Sequence, residues 1–296
     1  MDNMDPLPRK APMMLDFSTR FLEWTKTSRL ARKSSAYYHH GWRLLSTTAI
    51  RGMRLDQITA DHIEQIRING SASNVNCALR TLRRILHKAE EWKLIRRAPR
   101  LKLIPEYARD LRLDEAVECR LIKAAAACKW RTSAFEQFRD IVMLIRDTGM
   151  RNERELYRMR IQDLDFEKKV IFVPDSKTAK GRRTVPMSDR VFQILQGRCE
   201  NRAEGWVFPS KRSKSGHLTT VAHRFCEARK KAGFSEKLVL YCGRHDFGTR
   251  VLNTTGNLKA VMEVMGHKDV HTAMRYQHPE LELVRAALND EQGSKA

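Results

Sequence analysis

The chain has 296 residues and a mass of 34.4 kDa, enough for one large domain or two ordinary ones. Hydrophobic residues make up 42% and charged residues 31%, which excludes a wholly disordered chain. Lys and Arg number 56 against 35 Asp and Glu, a net charge of +21, and residues 1–100 alone hold 19 basic and 9 acidic residues. Because both halves are basic, the sequence predicts a polyanionic partner such as nucleic acid rather than a basic tail.

Membrane insertion, secretion and bound cofactors are not predicted. No apolar run approaches the ~20 residues that a membrane helix needs, and the first ten residues are polar. The six cysteines include no C-x-x-C pair, so we expect free thiols in a reducing cytoplasm. His267 and His271 lie four residues apart, but Lys268 follows where a zinc protease has Glu and no third ligand is evident, so no metal is expected.

The first hundred residues predict a bundle of helices. Apolar residues at helical spacing predict helices over Met14–Lys26 and Ser34–Thr48, and Asp61 is a plausible cap for a shorter third helix. The best-defined helix runs from about Ser73 to Trp92. Its apolar stripe steps by 4, 3, 4 and 3 residues, through Val75, Leu79, Leu82, Leu86 and Ala89.

The other faces of this helix are basic and polar. One face can pack on a bundle while another meets phosphates, although a solvated helix face would have the same composition. The residues that we expect to contact DNA are Asn76, Arg80, Arg83, Arg84 and Lys88.

Residues 99–112 contain two prolines and little periodicity, which predicts a linker. It would join a helical domain at 13–98 to a second domain at 113–290, with short tails at 1–12 and 291–296. The second domain mixes helices with a β-hairpin, whose strands Lys169–Pro174 and Arg182–Pro186 flank a connector at 175–181. The predicted helices are Leu113–Ala127, Arg131–Asp147, Arg190–Gln196, Leu218–Lys231, Arg244–Thr254, Leu258–Met265 and Glu280–Leu288. The predicted fold class is α+β, all-helical first and then mainly helical with a small antiparallel sheet.

If this chain cuts nucleic acid, the sequence predicts that it does so without a metal ion. No dense Asp/Glu cluster suggests a two-metal nuclease. Without metal, the reaction needs a nucleophile, a cationic cradle for the phosphate and an acid for the leaving oxygen. Arginine suits the cradle, because its planar fork bonds phosphate oxygens bidentately and stays charged.

Residues of these types occur in five short motifs. They are DTGMR at 147–151, SKTAKGRRTVPM at 176–187, YCGRHDF at 241–247, VMGHK at 264–268 and TAMRY at 272–276, and the first is expected to open a helix through Glu155 and Leu156. The order of the motifs, with nine residues from 267 to 276 and 32 from 244 to 276, resembles the tyrosine recombinase (phage integrase) family over the whole second domain. Residues 14–102 resemble, less specifically, that family's helical core-DNA-binding (SAM-like) domain.

The resemblance implies a role for each motif. Arg151 and Arg244 would hold the scissile phosphate, and Lys177 would protonate the departing 5′ oxygen, with Lys180 close enough to compete for that role. His267 would donate a hydrogen bond to the phosphate, and Tyr276 would attack phosphorus to give a 3′-phosphotyrosyl link. Taken singly, a surface arginine is usually a solvated charge and a tyrosine a half-buried aromatic residue.

Two positions depart from the family pattern. Tyr241 stands where the family has histidine, and a phenol donates a hydrogen bond but is a much weaker acid than imidazolium. Activity is expected to survive on Lys177, although Tyr241 could also simply pack. Arg154 stands where the family has glutamate, so either Glu153 or Glu155 could support the site. His245 is expected to support the start of its helix.

The expected function is site-specific DNA recombination through a Holliday junction, by a bacterial or phage-encoded cytoplasmic protein acting as a tetramer on double-stranded DNA. A stripe of Leu281, Val284 and Leu288 predicts a C-terminal helix that docks on a neighbouring subunit or on its own domain. The alternatives are a type IB topoisomerase-like enzyme and a catalytically impaired DNA-binding relative. The region before Met14 is expected to be too short for an arm-binding domain, which predicts direct recognition of core sites.

Overall fold

The computed structural model describes residues 10–106, 111–174, 182–267 and 269–276. The chain divides into two compact units, Met1–Ala108 and Arg109–Ala296. Lys177, Lys180 and the predicted helix at 280–288 lie outside the described residues. Within those residues, no helix is both long enough and apolar enough to cross a membrane.

The described part of the first unit is helical. Its helices are α1 (Met14–Thr27), α2 (Arg32–Leu45), α3 (Ala60–Glu64) and α4 (Ala72–Glu91), with single 3₁₀ turns at Ala49–Gly52 and Leu55–Gln57. The cap of α3 differs from the prediction: it is Thr59, not Asp61, whose hydroxyl accepts from the backbone N–H of His62. Thr59 and His62 form a reciprocal capping box, which stabilises so short a helix at its first turn.

Helix α4 lies at the centre of this unit and buries more of its surface than its apolar stripe predicts. The open placement expected for Asn76 and Lys88 is wrong. The buried Asn76 amide donates to Ile104 O at 2.8 Å and accepts from Ile104 N at 2.9 Å, so it holds the chain that follows the helix. The buried Lys88 ammonium lies 4.0 Å from the ring centre of Trp24 and pairs with Glu91. These contacts give both side chains structural partners in place of phosphate.

The three α4 arginines lie nearer the surface. Arg80 is exposed and pairs with Glu106 at 3.0 Å, and Arg83 donates to Leu101 O at 2.7 Å. Arg84 pairs with Glu91 at 2.8 Å. Each guanidinium is therefore already oriented by the protein, and their contact with DNA stays a prediction.

The second unit contains the predicted mixture of elements, which confirms the fold class. Its helices are α5 (Glu115–Ala126), α6 (Thr132–Thr148), α7 (Asp189–Cys199), α8 (Ala222–Lys231), α9 (Cys242–Thr255), α10 (Leu258–Met265) and the short α11 (Val270–Ala273). Strands β1 (Leu164–Asp165), β2 (Val170–Val173) and β3 (Arg183–Pro186) form an antiparallel sheet in the order β1-β2-β3. Strand β1 was not predicted, because two residues are too short for any period to register.

The expected helix through Glu155 and Leu156 is wrong. Helix α6 ends at Thr148, and Gly149 follows in the left-handed region with φ 60°, its N–H bonded to Ile145 O at 3.1 Å. A Cβ at Gly149 would collide with the Phe247 ring, so glycine alone fits both the backbone and the space. The chain then turns back before a single 3₁₀ turn at Leu156–Arg158.

A largely buried network of charges joins four helices behind that turn. Arg146 on α6 bonds Glu118 on α5 at 3.2 Å and Asp246 on α9 at 3.4 Å. Arg190 on α7 bonds Glu118 at 2.5 Å and Asp147 at 2.6 Å. The bond between Arg146 and Asp246 holds the start of α9 against the end of α6. Removing either partner would leave an uncompensated buried charge, so this contact is costly to break.

The Asn76→Ala variant tests the placement of that side chain. It removes a buried side-chain amide that bonds both backbone groups of Ile104, so we expect a loss of about 1–3 kcal/mol in the free energy of unfolding. His87→Ala, at an exposed position on the same helix, should change it by less than about 0.5 kcal/mol. Urea unfolding of both variants measures the difference, and equal small losses would contradict the buried placement.

Candidate active site

The C-terminal end of α10 is surrounded by arginines. Three of them donate to three successive carbonyl groups: Arg183 Nε to Val264 O at 2.6 Å, Arg244 Nη2 to Met265 O at 2.5 Å and Arg151 Nη2 to Gly266 O at 3.0 Å. The last carbonyls of a helix have no partner within it and carry the negative end of its dipole, so they attract cationic donors. The helix end therefore places three guanidinium groups from three distant parts of the chain side by side.

Gly266 makes this approach possible. Its φ of 64° is left-handed, and its N–H bonds Glu263 O at 3.1 Å to finish the helix. A Cβ there would lie 3.0 Å from Nη1 of Arg183, closer than side chains normally pack. The glycine of the VMGHK motif thus serves the backbone turn and the arginine contact at once.

Glu155 is the acidic residue that supports the site. Its buried carboxylate accepts from the Arg151 backbone N–H at 2.8 Å and from Arg151 Nη1 at 2.6 Å. Burial alone would raise the pKa of Glu155, but the hydrogen bonds and charge of Arg183, with those of Arg151, bring it below the usual value. Glu153 and Arg154 are exposed. The turn after Gly149, rather than a helix, brings Glu155 inward.

Arg244 has no exposed surface. Its guanidinium donates to Gly149 O as well as to Met265 O, and Nη2 lies 2.9 Å from Nε2 of His267. Its Nε has no hydrogen-bond partner among the described residues. Burial lowers the pKa of Arg244, and the charge of Arg151 lowers it further. Such incompletely matched positive charge favours the binding of an anion.

His267 is a neutral imidazole in this arrangement. Because Arg244 can only donate, Nε2 of His267 accepts, and the proton is assigned to Nδ1. Burial, followed by the charges of Arg244 and Arg151, lowers the pKa of His267 to about 4. No hydrogen-bond partner of Nδ1 is found in the described ranges.

Tyr276 lies beside His267. The two rings are stacked, with centroids 5.7 Å apart and planes 8° apart. Tyr276 is 3% exposed and packs with Phe247, Val261 and Met265. The motifs that carry Arg151, Arg244, His267 and Tyr276 therefore converge, as the sequence predicts.

Tyr241 and His245 lie at the rim of the site. Tyr241 is 38% exposed at the start of α9, and its ring stands edge-on to that of His245, with centroids 5.1 Å apart. The His245 ring is 6.0 Å from that of Tyr276. His245 thus lies between the two tyrosines.

Arg183 is the member of the site that the sequence interpretation missed. Its side chain is 7% exposed and makes an ion pair with Glu155 at 2.8 Å. The signal was the two-residue period of β3: Arg183 lies on the same face as the buried Val185. A charged residue on the buried face of a strand indicates a buried partner. Across the described ranges, no three His, Cys, Asp or Glu side chains come together as metal ligands.

The family model described as the phage integrase family matches residues 112–282. The chain belongs to the phage integrase family. It is 30% identical over 163 residues to tyrosine recombinase XerD of Yersinia pestis, covering 50% of this chain and 52% of that one. It is 27% identical over 152 residues to tyrosine recombinase XerA of Thermococcus onnurineus (strain NA1), with coverages of 50% and 52%. The chain thus spans about half the length of the curated relatives it matches.

Solved structures share the fold of this phage integrase family member. An integrase of the Tn1549 transposon, in complex with a circular intermediate DNA, superposes with a TM-score of 0.75 at 20% identity, over 94% of this chain and 99% of that one. A lambda integrase dimer bound to a COC′ core site gives 0.71 at 18% identity, over 91% and 78%. At these identities the comparison shows the fold alone.

Two glycines offer a matched test of the arginine cluster. Gly266 and Gly256 both end a helix with positive φ, 64° and 62°, but a Cβ at Gly256 would meet nothing within 4 Å. Each alanine variant should lose about 1 kcal/mol from backbone strain. Gly266→Ala should lose at least about 1 kcal/mol more, because it also displaces Arg183. Urea unfolding measures both, and equal losses would contradict a close arginine contact.

The lowered pKa of His267 predicts a pH-dependent stability difference. As pH falls from about 6.5 to about 4, the unfolded chain takes up a proton on this imidazole that the folded chain does not. The free energy of unfolding of the wild type should therefore fall relative to that of His267→Gln over this window, and the difference should be constant above it. A difference that does not vary between pH 4 and 7 would contradict the neutral, buried imidazole.

Proposed function

We propose that this chain is a tyrosine recombinase, which cleaves and rejoins double-stranded DNA through a covalent link to Tyr276. The observation that carries this proposal is the convergence of Arg151, Arg244, His267 and Tyr276 at the end of α10. The membership of the phage integrase family supports it.

The charge of the site suits the transition state of phosphoryl transfer. Arg151, Arg183 and Arg244 carry three positive charges and Glu155 one negative charge, a net +2 among these four side chains. A phosphodiester carries one negative charge, and its pentacovalent transition state carries two. Donors that are already oriented stabilise this developing charge without reorganisation.

The proposed reaction conserves the ester bond. The Tyr276 oxygen attacks phosphorus as its proton passes to a base, and the bond from phosphorus to the 5′ oxygen breaks. Lys177 gives that oxygen a proton, and a 5′ hydroxyl reverses the step to rejoin a strand. Because one phosphate ester replaces another, joining needs no ATP.

Access of DNA to the site requires movement in this structure. Arg244 is fully buried and Tyr276 nearly so, whereas the Arg151 side chain is 32% exposed. We propose that the phosphate first meets Arg151, and that displacement of the Tyr276 ring from its stack on His267 then exposes Arg244.

We further propose that the active form is a tetramer that exchanges strands through a Holliday junction on double-stranded DNA. The support is the apolar stripe of Leu281, Val284 and Leu288 together with the basic charge of both halves. Among the α4 arginines, Arg80 is the best candidate for a contact with phosphate, because it is the most exposed.

Covalent trapping tests the proposed function. The purified protein is incubated with EDTA on nicked suicide duplexes drawn from DNA flanking its own gene, and denaturation-resistant adducts are counted. We expect an adduct that disappears in Tyr276→Phe and persists in Tyr157→Phe, another buried tyrosine of the same unit. An adduct that survives Tyr276→Phe would contradict the assigned nucleophile.

Tyr241→His separates an active enzyme from an impaired relative in the same assay. We expect the wild type to have measurable cleavage activity. Because imidazolium is a better proton donor than phenol, we expect Tyr241→His to cleave up to about tenfold faster than the wild type. Strong binding with cleavage only in Tyr241→His would favour a DNA-binding function for this chain instead.

A further inference from the structure

Arg183 bonds both groups that hold Arg151, the Glu155 carboxylate and the end of α10. The resemblance to the family gives Arg183 no role. We propose that Arg183 is a positioning residue: it acts on the reaction through Glu155, which in turn fixes Arg151. This inference rests on the proposed function, and it adds to it a residue that has no contact with the reacting atoms.

The contact between Arg183 and Glu155 is bidentate. Nη1 donates to Oε1 at 3.1 Å and Nη2 to Oε2 at 2.8 Å, so the plane of the carboxylate is set by the plane of the guanidinium. The same two oxygens accept from Arg151, Oε1 from its Nη1 and Oε2 from its backbone N–H. A rotation of the Glu155 carboxylate would therefore move Arg151.

The third donor of Arg183 fixes the other side of the cluster. Nε donates to Val264 O, two residues before Gly266, whose carbonyl accepts from Arg151. Arg183 thus bonds both elements that hold Arg151, the Glu155 carboxylate and the end of α10. A side chain whose three guanidinium nitrogens each donate to a fixed acceptor constrains distance and orientation together.

The place of Arg183 in the chain also connects it to the hairpin. It is the first residue of β3 and pairs with Val173 of β2, directly after the connector that carries Lys177 in the sequence. The strand pair and the arginine cluster are therefore joined at one side chain. The alternative is a purely structural ion pair, whose loss would lower stability and leave the chemistry of the folded molecules unchanged.

Arg183→Lys separates these two explanations. Lysine keeps the charge but replaces the planar fork by a point donor, so it cannot hold both carboxylate oxygens and Val264 O in one plane. Arg198→Lys is the matched control, because Arg198 also bonds a buried carboxylate, Asp140 at 2.7 Å, away from the cluster. Both variants are compared at a temperature where thermal unfolding shows them folded.

The first measurement is a double-mutant cycle on single-turnover cleavage of a suicide duplex at saturating protein. We expect Arg183→Lys to slow cleavage at least about tenfold with unchanged DNA affinity, and Arg198→Lys to leave it unchanged within about twofold. In an Arg151→Lys background, Arg183→Lys should cost little more, because its effect passes through Arg151. Losses that multiply independently would overturn the proposal.

The second measurement does not depend on cleavage. The Nε–H resonance of Arg151, assigned by its loss in Arg151→Lys, should shift in Arg183→Lys and stay in place in Arg198→Lys. If the wild type forms no adduct, the proposed function fails while this shift still decides the positioning role. If Arg183→Lys does not fold, Glu155→Gln replaces it as the probe of the same contact, and an unmoved resonance there would overturn the proposal.

Discussion

The end of helix α10 determines how the rest of the site is arranged. The carbonyl groups of its last two residues, Val264 and Met265, and of the following Gly266 have no partners within the helix and accept from Arg183, Arg244 and Arg151 in turn. Like charges close together repel, so three guanidinium groups need an opposing charge to remain adjacent. The helix dipole supplies roughly half an elementary charge at this end, and the carbonyls also fix each donor's direction.

The use of carbonyls rather than carboxylates has a functional consequence. Glu155 bonds Arg151 and Arg183 and offsets one of the three positive charges, so a net +2 among these four side chains is left for the proposed phosphate substrate. An acidic partner for each arginine would give a stable but neutral site with little affinity for phosphate. Helix-end carbonyls orient the arginines without neutralising them, which is the preorganisation that electrostatic catalysis requires.

Sequence periodicity predicts the local elements. It predicts less well the features that depend on three-dimensional packing. Helix α10 was predicted with its observed bounds because it is short, apolar and closed by a glycine. Asn76 was misplaced because the chain at Ile104, 28 residues away, covers that side of α4. The sequence predicts a helix where the chain turns after Gly149, since the geometry of this turn depends on close packing against Phe247. Arg183 was missed because its partners lie in two other segments.

In the proposed function, the end of α10 arranges the arginines for chemistry. The most direct test is the rate of single-turnover cleavage by Gly266→Ala and Gly256→Ala at saturating protein. Each rate is divided by the fraction of the protein that is folded. Both variants carry the same left-handed backbone strain, but only the first adds a Cβ against Arg183. We expect the cleavage rate to fall at least about a hundredfold in Gly266→Ala and about twofold or less in Gly256→Ala. Equal rates for the two variants would contradict this role of α10.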